Sequence, residues 1–264
     1  MPEIREVRPE DAPALAALWQ RVFGDPEAYA GAFLRLLPAL GAGAAAFENS
    51  KLLGAAYIVT DLELVEPERT RRCGYLYAVG VAPEARGRGL GGRLSQEAAA
   101  LGLTRGAQLL CTLPAEPSLY AWYERILGLH CALYRERRLL GSLPGPEPVP
   151  LTPEEYGRRR EALLKGRPHL RPGAAALRVE DANCRTFGGG LYAVGEGLAA
   201  AYVDGGVTEV RELLGAPPES AASLGAALGT DSVRLWTPAP QGRPYLTFAP
   251  AGVPADTVWN LAFD

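Results

Sequence analysis

The sequence is poor in the residues that build metal sites and charge-relay triads. Its 264 residues include only two histidines, His130 and His169, and four cysteines. The cysteines, at positions 73, 111, 131 and 184, form no Cys-x-x-Cys pair, which argues against zinc binding and against a disulfide scaffold. Two histidines are also too few for most histidine metal sites. We therefore expect no metal in this protein.

An excess of positive charge is missing as well. The formal net charge is −3 at pH 7, so the chain lacks the basic excess typical of nucleic-acid-binding domains. Hydrophobic residues make up 48% and charged residues 22%, which is usual for a soluble globular protein. No signal peptide or membrane span is recognisable. These features predict a cytoplasmic protein with no nucleic-acid or membrane partner.

The most informative segment is a predicted strand that leads through glycines into a predicted helix. Pro83 ends the strand, because proline cannot donate a hydrogen bond to a sheet. On the alternation of a regular strand, one face holds Cys73, Tyr75, Tyr77, Val79 and Val81. The other face holds Gly74, Leu76, Ala78 and Gly80. The loop that follows exposes backbone amides at a helix N-terminus, which is a favourable place for a phosphate.

Three kinds of phosphate loop fit this description to different degrees. A P-loop needs a lysine, and the chain has none between residues 52 and 164. Gly87, Gly89 and Gly92 formally meet the Rossmann pattern, but the next predicted strand, residues 108–113, ends without the acidic residue that holds a ribose. The third pattern, Arg-x-x-Gly-x-Gly, is met by Arg86, Gly89 and Gly91.

This third pattern, following a Val-x-Val-x-Pro-Glu strand, resembles the acetyl-CoA loop of the GNAT superfamily of N-acetyltransferases. The resemblance implies an α/β fold with a mixed sheet and acetyl-CoA as co-substrate. It also implies that pantetheine pairs with the backbone around Val79 and Val81. The implied coenzyme-binding residues are Val79, Gly80, Val81, Arg86, Gly87, Arg88, Gly89, Leu90, Gly91 and Gly92.

A second segment, residues 117–129, resembles the closing GNAT element, usually written Tyr-Glu-Lys-x-Gly-Phe. The match places Tyr123 where the family has a tyrosine that protonates the leaving thiolate. A phenol can supply that proton as the C–S bond breaks. The segment departs from the family by one inserted residue, at Ile126–Leu127, and by Leu129 in place of phenylalanine. Because the insertion can rotate Tyr123 away from the sulfur, Tyr120, one helical turn earlier, is the alternative acid.

No residue is singled out as general base. Carboxylates near the predicted strands and a carboxylate at the chain end are the candidates: Asp61, Glu63, Glu66, Glu116 and Asp264. Three tyrosines are candidates either for the wall of an acceptor cleft or for the core: Tyr57, Tyr75 and Tyr77.

The pattern of helices and strands predicts two domains. Residues 1–140 follow the order β-α-α-β-β-β-α-β of a GNAT domain, with a hairpin at Asn49–Ser50. Residues 141–151 are rich in proline and predict a linker. Residues 152–264 again alternate helices and strands, ending with a strand at 258–263, but none of these strands is followed by Arg-x-x-Gly-x-Gly. We therefore expect a tandem GNAT protein with a degenerate second domain.

The resemblance implies transfer of an acetyl group from acetyl-CoA to a primary amine of a small molecule or peptide, by direct attack. Two other functions stay open. A non-catalytic acyl-CoA-binding or regulatory protein would bind the coenzyme without turnover. A nucleic-acid-binding module using Arg-Gly-Arg-Gly would show affinity that falls steeply with salt. A homo-oligomer is also compatible with the sequence.

Overall fold

The structure is a computed structural model that describes residues 2–259. Elements in the first half of the chain are β1 (Glu3–Glu6), α1 (Ala12–Val22), α2 (Glu27–Leu40), β2 (Gly41–Glu48), β3 (Lys51–Val59), β4 (Leu62–Glu66), β5 (Arg69–Val81), α3 (Leu90–Thr104), β6 (Leu109–Thr112) and α4 (Pro117–Leu127). The second half contains β7 (His130–Gly141), β8 (Val149–Pro150), α5 (Pro153–Leu163), β9 (His169–Pro172), α6 (Ala174–Thr186), β10 (Gly190–Val194), β11 (Gly197–Asp204), β12 (Val207–Leu214), α7 (Glu219–Ala227), β13 (Ser232–Pro238) and β14 (Arg243–Ala249). The predicted strand at 258–263 lies largely outside the described residues.

The chain folds into two compact units. Unit 1 comprises residues 2–64, 70–132 and 245–253, and unit 2 comprises residues 65–69, 133–244 and 254–259. The units therefore differ from the linear division at residues 141–151 that the proline-rich segment predicts. Strand β14 belongs mainly to unit 1 although it lies late in the sequence, and most of β7 belongs to unit 2 although it directly follows α4.

Unit 1 is built on a mixed sheet in the order β1-β2-β3-β5-β6-β14. All neighbours pair antiparallel except β5 and β6, which are parallel and are connected through α3. The predicted hairpin is confirmed: β2 and β3 meet at Asn49 and Ser50, whose φ angles are 50° and 64°. The positive φ values are those of a tight two-residue hairpin turn.

Unit 2 repeats this topology. Its sheet runs β8-β10-β11-β12-β13-β7, and again one pair, β12 and β13, is parallel and connected through a helix, α7. Two helices, α5 and α6, precede the three antiparallel strands β10, β11 and β12, as α1 and α2 precede β2, β3 and β5 in unit 1. The two units therefore share one order of strands and helices.

The core of unit 1 next to β5 is aromatic. The Trp19 ring lies 5.2 Å from Phe33 and 5.6 Å from Tyr57, between ring centroids. Tyr57 and Tyr75 are each only 2% exposed, so both are core residues, whereas Tyr77 is half-buried. These rings join α1 and α2 to one face of the sheet, because large aromatic side chains bury much apolar surface.

Unit 2 buries an ion pair. Arg160 on α5 is 1% exposed and Glu212 on β12 is fully buried. The Nε of Arg160 donates to Glu212 Oε2 at 2.9 Å, its Nη2 donates to Oε1 at 3.0 Å, and the Tyr156 hydroxyl donates to Oε2 at 2.7 Å. The remaining Nη1 donates to the Leu170 carbonyl. Each charge is thus surrounded by hydrogen bonds, which is the condition for keeping an ion pair in a core.

Replacing Arg160 by methionine should destabilise unit 2 by about 3–5 kcal/mol, because Glu212 is left as an uncompensated buried charge. The measurement is urea-induced unfolding of the purified protein. Arg178→Met is the matched control, since Arg178 also pairs with a glutamate, Glu154, but both side chains are more than half exposed. Equal unfolding midpoints for the two variants would contradict the prediction.

Candidate functional site

The predicted phosphate loop lies between β5 and α3 of unit 1. A short 3-10 turn at Pro83–Ala85 follows the strand, and Gly89 is the residue before the first turn of α3. Gly87 and Gly89 have φ angles of 75° and 72°. L-amino acids with side chains rarely adopt this left-handed conformation, so the path of the loop requires glycine at both positions.

The loop leaves a row of amides without partners. Within residues 2–259, the first helix amide that has an acceptor is that of Arg93, which donates to the Gly89 carbonyl. No side chain caps α3, and no acceptor in the described chain takes the amides from Gly87 to Gly92. Such amides at a helix N-terminus form an anion-binding site together with the helix dipole.

These amides border a cavity of about 210 Å³. Seven of the ten predicted coenzyme-binding residues line it: Val81, Arg86, Gly87, Gly89, Leu90, Gly91 and Gly92. Ala85 and Trp122 complete the lining, and neither was predicted. Val79, Gly80 and Arg88 do not line the cavity.

Trp122 forms the wall that faces the first turn of α3. A Cβ atom on Gly91 would lie 3.8 Å from Trp122 Cζ2, so the indole packs directly over the glycines. A Cβ atom at Gly91 or Gly92 would meet the indole at an ordinary contact distance, whereas Gly87 and Gly89 are required by the backbone conformation. The one sequence signal for Trp122 is its position directly before Tyr123 on α4.

A bulge in β5 corrects the predicted alternation of the strand. Tyr77 pairs with Tyr57 and Gly80 pairs with Ala55, so two residues of β5 oppose one residue of β3. Ala78, in the bulge, has a φ of 47°. Because of the extra residue, Gly80 joins the face of Tyr77. The prediction that Val79 and Val81 share that face is therefore wrong.

The bulge determines what the last two residues of β5 contact. A Cβ on Gly80 would lie 3.1 Å from the ring of Phe23, so this residue packs against α1 rather than against the cavity. Val81 instead points towards α3, where its Cγ2 would lie 3.9 Å from a Cβ on Gly91. One extra residue in the strand thus places Val81 in the cavity wall.

One edge of β5 is open beside the cavity. The register with β6 extends only from Cys73–Leu109 to Tyr75–Cys111, whereas β5 continues to Val81. Strand β6 therefore does not pair with β5 beyond Tyr75, and the other strands that pair with β5 in the described chain are β3 and β4. The open edge offers backbone donors and acceptors to an extended ligand, as in strand addition.

Tyr123 is buried at the point where β5 and β6 separate. It is 6% exposed, and burial raises the pKa of its phenol to about 12, partly offset by a hydrogen bond with Thr112. The Thr112 hydroxyl in turn donates to the Leu76 carbonyl at 2.8 Å. The inserted Ile126–Leu127 lies in the last turn of α4, beyond Tyr123, and Gly128 ends the helix with a φ of 67°.

Tyr120, the alternative acid, is held elsewhere in unit 1. Its hydroxyl donates to the Tyr245 carbonyl of β14 at 3.0 Å. Among the candidate bases, Asp61 and Glu63 are half-buried, and Glu66 pairs with Arg69 in unit 2. Glu116 is exposed and accepts a hydrogen bond from Ser118. Asp264 lies outside the described residues.

No metal centre or membrane-spanning helix is found in the part of the chain that the structure describes. No group of three or more His, Cys, Asp and Glu side chains among residues 2–259 is placed to hold a metal ion. Over the same residues, no helix has both the length and the apolar composition needed to cross a bilayer.

A protein-family comparison matches most of the first half of the chain. Residues 3–124 match the family described as Acetyltransferase (GNAT) domain. This segment is a GNAT domain. Acyl transfer is the general chemistry that the match supports. No curated protein matches the sequence.

Solved structures share the fold of nearly the whole chain. A GCN5-related N-acetyltransferase from Kribbella flavida is 17% identical and has a TM-score of 0.65, covering 94% of this chain and 71% of its own. A protein from Enterococcus faecalis V583 is 13% identical with a TM-score of 0.70, covering 94% and 72%. A protein from Pyrococcus horikoshii is 15% identical with a TM-score of 0.65, covering 99% and 93%. At these identities the similarity establishes the fold.

The phenol of Tyr123 should stay protonated where most tyrosines ionise. In the folded protein, Tyr123→Phe should leave the phenolate absorbance unchanged up to about pH 11. In denaturant, the same variant should lose one of the eleven tyrosines that titrate. Because the folded pKa, about 12, lies above the usual 10, the stability from the neutral phenol is lost between about pH 10 and 12. A smaller phenolate signal for the folded variant at pH 10 would contradict this assignment.

Proposed function

We propose that this protein transfers an acetyl group from acetyl-CoA to a primary amine. The observation that carries the proposal is the row of unbonded amides from Gly87 to Gly92 beside a cavity. The first N–H groups of a helix have no intrahelical acceptor, and an anion is a favourable partner for such amides where they border a cavity. The diphosphate of coenzyme A supplies that anion, and the open edge of β5 fits the extended pantetheine arm.

Acetyl-CoA supplies an acetyl thioester, which a neutral amine attacks. The residues of this chain bind and orient it. The amides of α3 and the Arg86 guanidinium hold the diphosphate, and the backbone of Val79 and Val81 aligns the pantetheine. Trp122 closes the cavity on the side of α4. We assign the strand amides near the bulge to polarising the thioester carbonyl, as preorganised donors do in acyl transfer.

We assign Tyr123 as the general acid. Its raised pKa keeps the phenol protonated at neutral pH, so that it can donate a proton to the departing sulfur. Its neighbour on the helix, Trp122, faces the cavity. Consecutive helix residues point about 100° apart, so α4 presents one residue to the cavity and the next to the junction of β5 and β6. The acceptor is a small-molecule or peptide amine, and its general base is unassigned.

Unit 2 is proposed as the degenerate GNAT-like domain. Its equivalent turn, between β12 and α7, contains Pro217 and Pro218. Proline has no amide hydrogen, so this turn cannot form the same row of donors. Only one coenzyme site is therefore expected in each chain.

Gly89→Glu should abolish coenzyme A binding while the fold is retained. The substitution places a carboxylate and a strained left-handed residue where the diphosphate would bind. Gly166→Glu is the matched control, since Gly166 has a φ of 79° and open surroundings in unit 2. Isothermal titration calorimetry with coenzyme A measures binding, and thermal unfolding checks the fold. Normal binding by a folded Gly89→Glu protein would refute the phosphate site.

Tyr123→Phe should lower kcat about 10²- to 10⁴-fold, the usual contribution of a general acid, with little change in KM for acetyl-CoA. Tyr120→Phe is the control, because its hydroxyl is engaged by the Tyr245 carbonyl. Thiol release with a panel of primary amines is the measurement. An unchanged kcat in Tyr123→Phe would remove this residue from the mechanism. Tight coenzyme binding without thiol release from any amine would favour the non-catalytic acyl-CoA-binding protein.

A further inference from the structure

Arg88 is turned away from the cavity in this structure. It lies between Gly87 and Gly89, which both line the cavity, yet its own side chain does not. Its guanidinium instead binds the carboxylate of Glu48 at the end of β2, with N–O distances of 2.6 Å and 3.2 Å. The pair holds the pKa of Glu48 below its usual value, so Glu48 is charged at neutral pH.

The opposite side of the hairpin turn makes a second contact with the loop. Lys51, directly after the turn, donates to Glu84 at 2.8 Å, and Arg21 of α1 donates to the same carboxylate at 2.9 Å. Glu84 thus has two cationic partners from outside the loop. Arg88 is different, because it is a cation of the loop itself and is bound by a carboxylate from outside.

We propose that Glu48 competes with the phosphates of the coenzyme for Arg88 and so lowers coenzyme affinity. This inference rests on the proposed function. Glu48 and Arg88 do not contact each other in the coenzyme complex: the guanidinium leaves the carboxylate and binds a phosphate of the ligand. In this proposal Glu48 controls the affinity for coenzyme A, and Arg88 binds the coenzyme directly only after it has left Glu48.

The free energies of the two ion pairs favour the exchange of Glu48 for a phosphate as the partner of Arg88. The side chains of Arg88 and Glu48 are 41% and 39% exposed. An exposed ion pair changes an equilibrium constant by at most about fivefold. Arginine forms stronger, bidentate hydrogen bonds with phosphate in a partly enclosed site. Breaking the ion pair between Arg88 and Glu48 therefore costs little free energy. This cost is subtracted from the free energy of coenzyme binding and lowers the affinity by the same amount.

The loop also gives the side chain room to move. A Cβ atom placed on Gly87 or on Gly89 would have no heavy atom within 4 Å. The space on both sides of Arg88 is therefore open, and the cavity lies next to its backbone. Rotation about side-chain bonds is enough to bring the guanidinium to the cavity, with the backbone of the loop unchanged.

The experiment measures the dissociation constant of coenzyme A for four proteins: wild type, Glu48→Gln, Glu84→Gln and the double variant Glu48→Gln/Arg88→Gln. We expect Glu48→Gln to bind about two- to fivefold more tightly than wild type. Glu84→Gln removes the same charge close to the loop but releases no cation of the loop itself. Its affinity for coenzyme A should therefore increase less. In the double variant, the increase in coenzyme A affinity caused by Glu48→Gln should disappear.

Two further ligands locate the effect. Pantetheine has no phosphate, so Glu48→Gln should not tighten its binding, and an equal gain with pantetheine would overturn the proposal. 3′-Dephospho-coenzyme A identifies the phosphate that Arg88 binds. If Glu48→Gln still binds this ligand more tightly than wild type does, Arg88 binds the diphosphate. If the increase in affinity is lost, Arg88 binds the 3′-phosphate.

The outcomes separate this inference from the proposed function. If wild type binds coenzyme A and Glu48→Gln binds it equally or more weakly, Glu48 is not a competitor and only this inference fails. If Glu84→Gln gains as much as Glu48→Gln, the effect is general electrostatics and this inference fails too. If wild type does not bind coenzyme A at all, both the inference and the proposed function are overturned.

Discussion

The left-handed backbone at Gly87 and Gly89 is the constraint on which the candidate site depends. It lets the chain turn from β5 into α3 within a few residues, and the amides from Gly87 to Gly92 have no acceptor among residues 2–259. A side chain at either position would strain the turn. Unit 2 shows the converse: its sheet has the same strand order, but two prolines occupy the equivalent turn and remove the donors. On the proposed function, the same topology therefore holds a phosphate only where the backbone of the turn supplies the amide donors.

The position of α4 depends on a strand from the far end of the chain. Within unit 1, β14 pairs antiparallel with β6, and the Thr247 hydroxyl donates to the Thr112 carbonyl across 135 residues of sequence. The Tyr245 carbonyl, on the same strand, accepts the hydrogen bond from Tyr120 of α4. Since Tyr120 and Tyr123 lie one turn apart on this helix, a contact made by the late strand fixes the helix that carries the proposed acid. Such non-local contacts form at a high cost in loop-closure entropy.

The sequence predicted the features that local chemistry determines. The glycine loop, the hairpin at Asn49–Ser50 and the placement of Tyr123 on a helix follow from short-range signals, and each is present. The bulge at Ala78 was not predictable, because alanine carries no signal for a positive φ. Membership of β7 and β14 in the two units was missed for a different reason: periodicity identifies a strand but not the sheet that it joins. The direction of the Arg88 side chain depends on a partner forty residues away, which no motif records.

Formal charge contributes less to the site than its arginine-rich motif implies. Only Arg86 lines the cavity, and its Nε is directed to the Val81 carbonyl at 3.2 Å. Glu48 and Glu84 both lie beside the loop, and the Lys51 ammonium lowers the pKa of Glu84 to about 2, so both carboxylates are ionised at neutral pH. Glu48 and Glu84 thus offset two of the four cations around the loop, which are Arg21, Lys51, Arg86 and Arg88. On the proposed function, oriented backbone amides and the helix dipole, which are fixed by the fold and act at short range, add to the attraction of these cations for the anion. A site of this kind selects its ligand by shape and by where the negative charge sits, rather than by attracting anions in general.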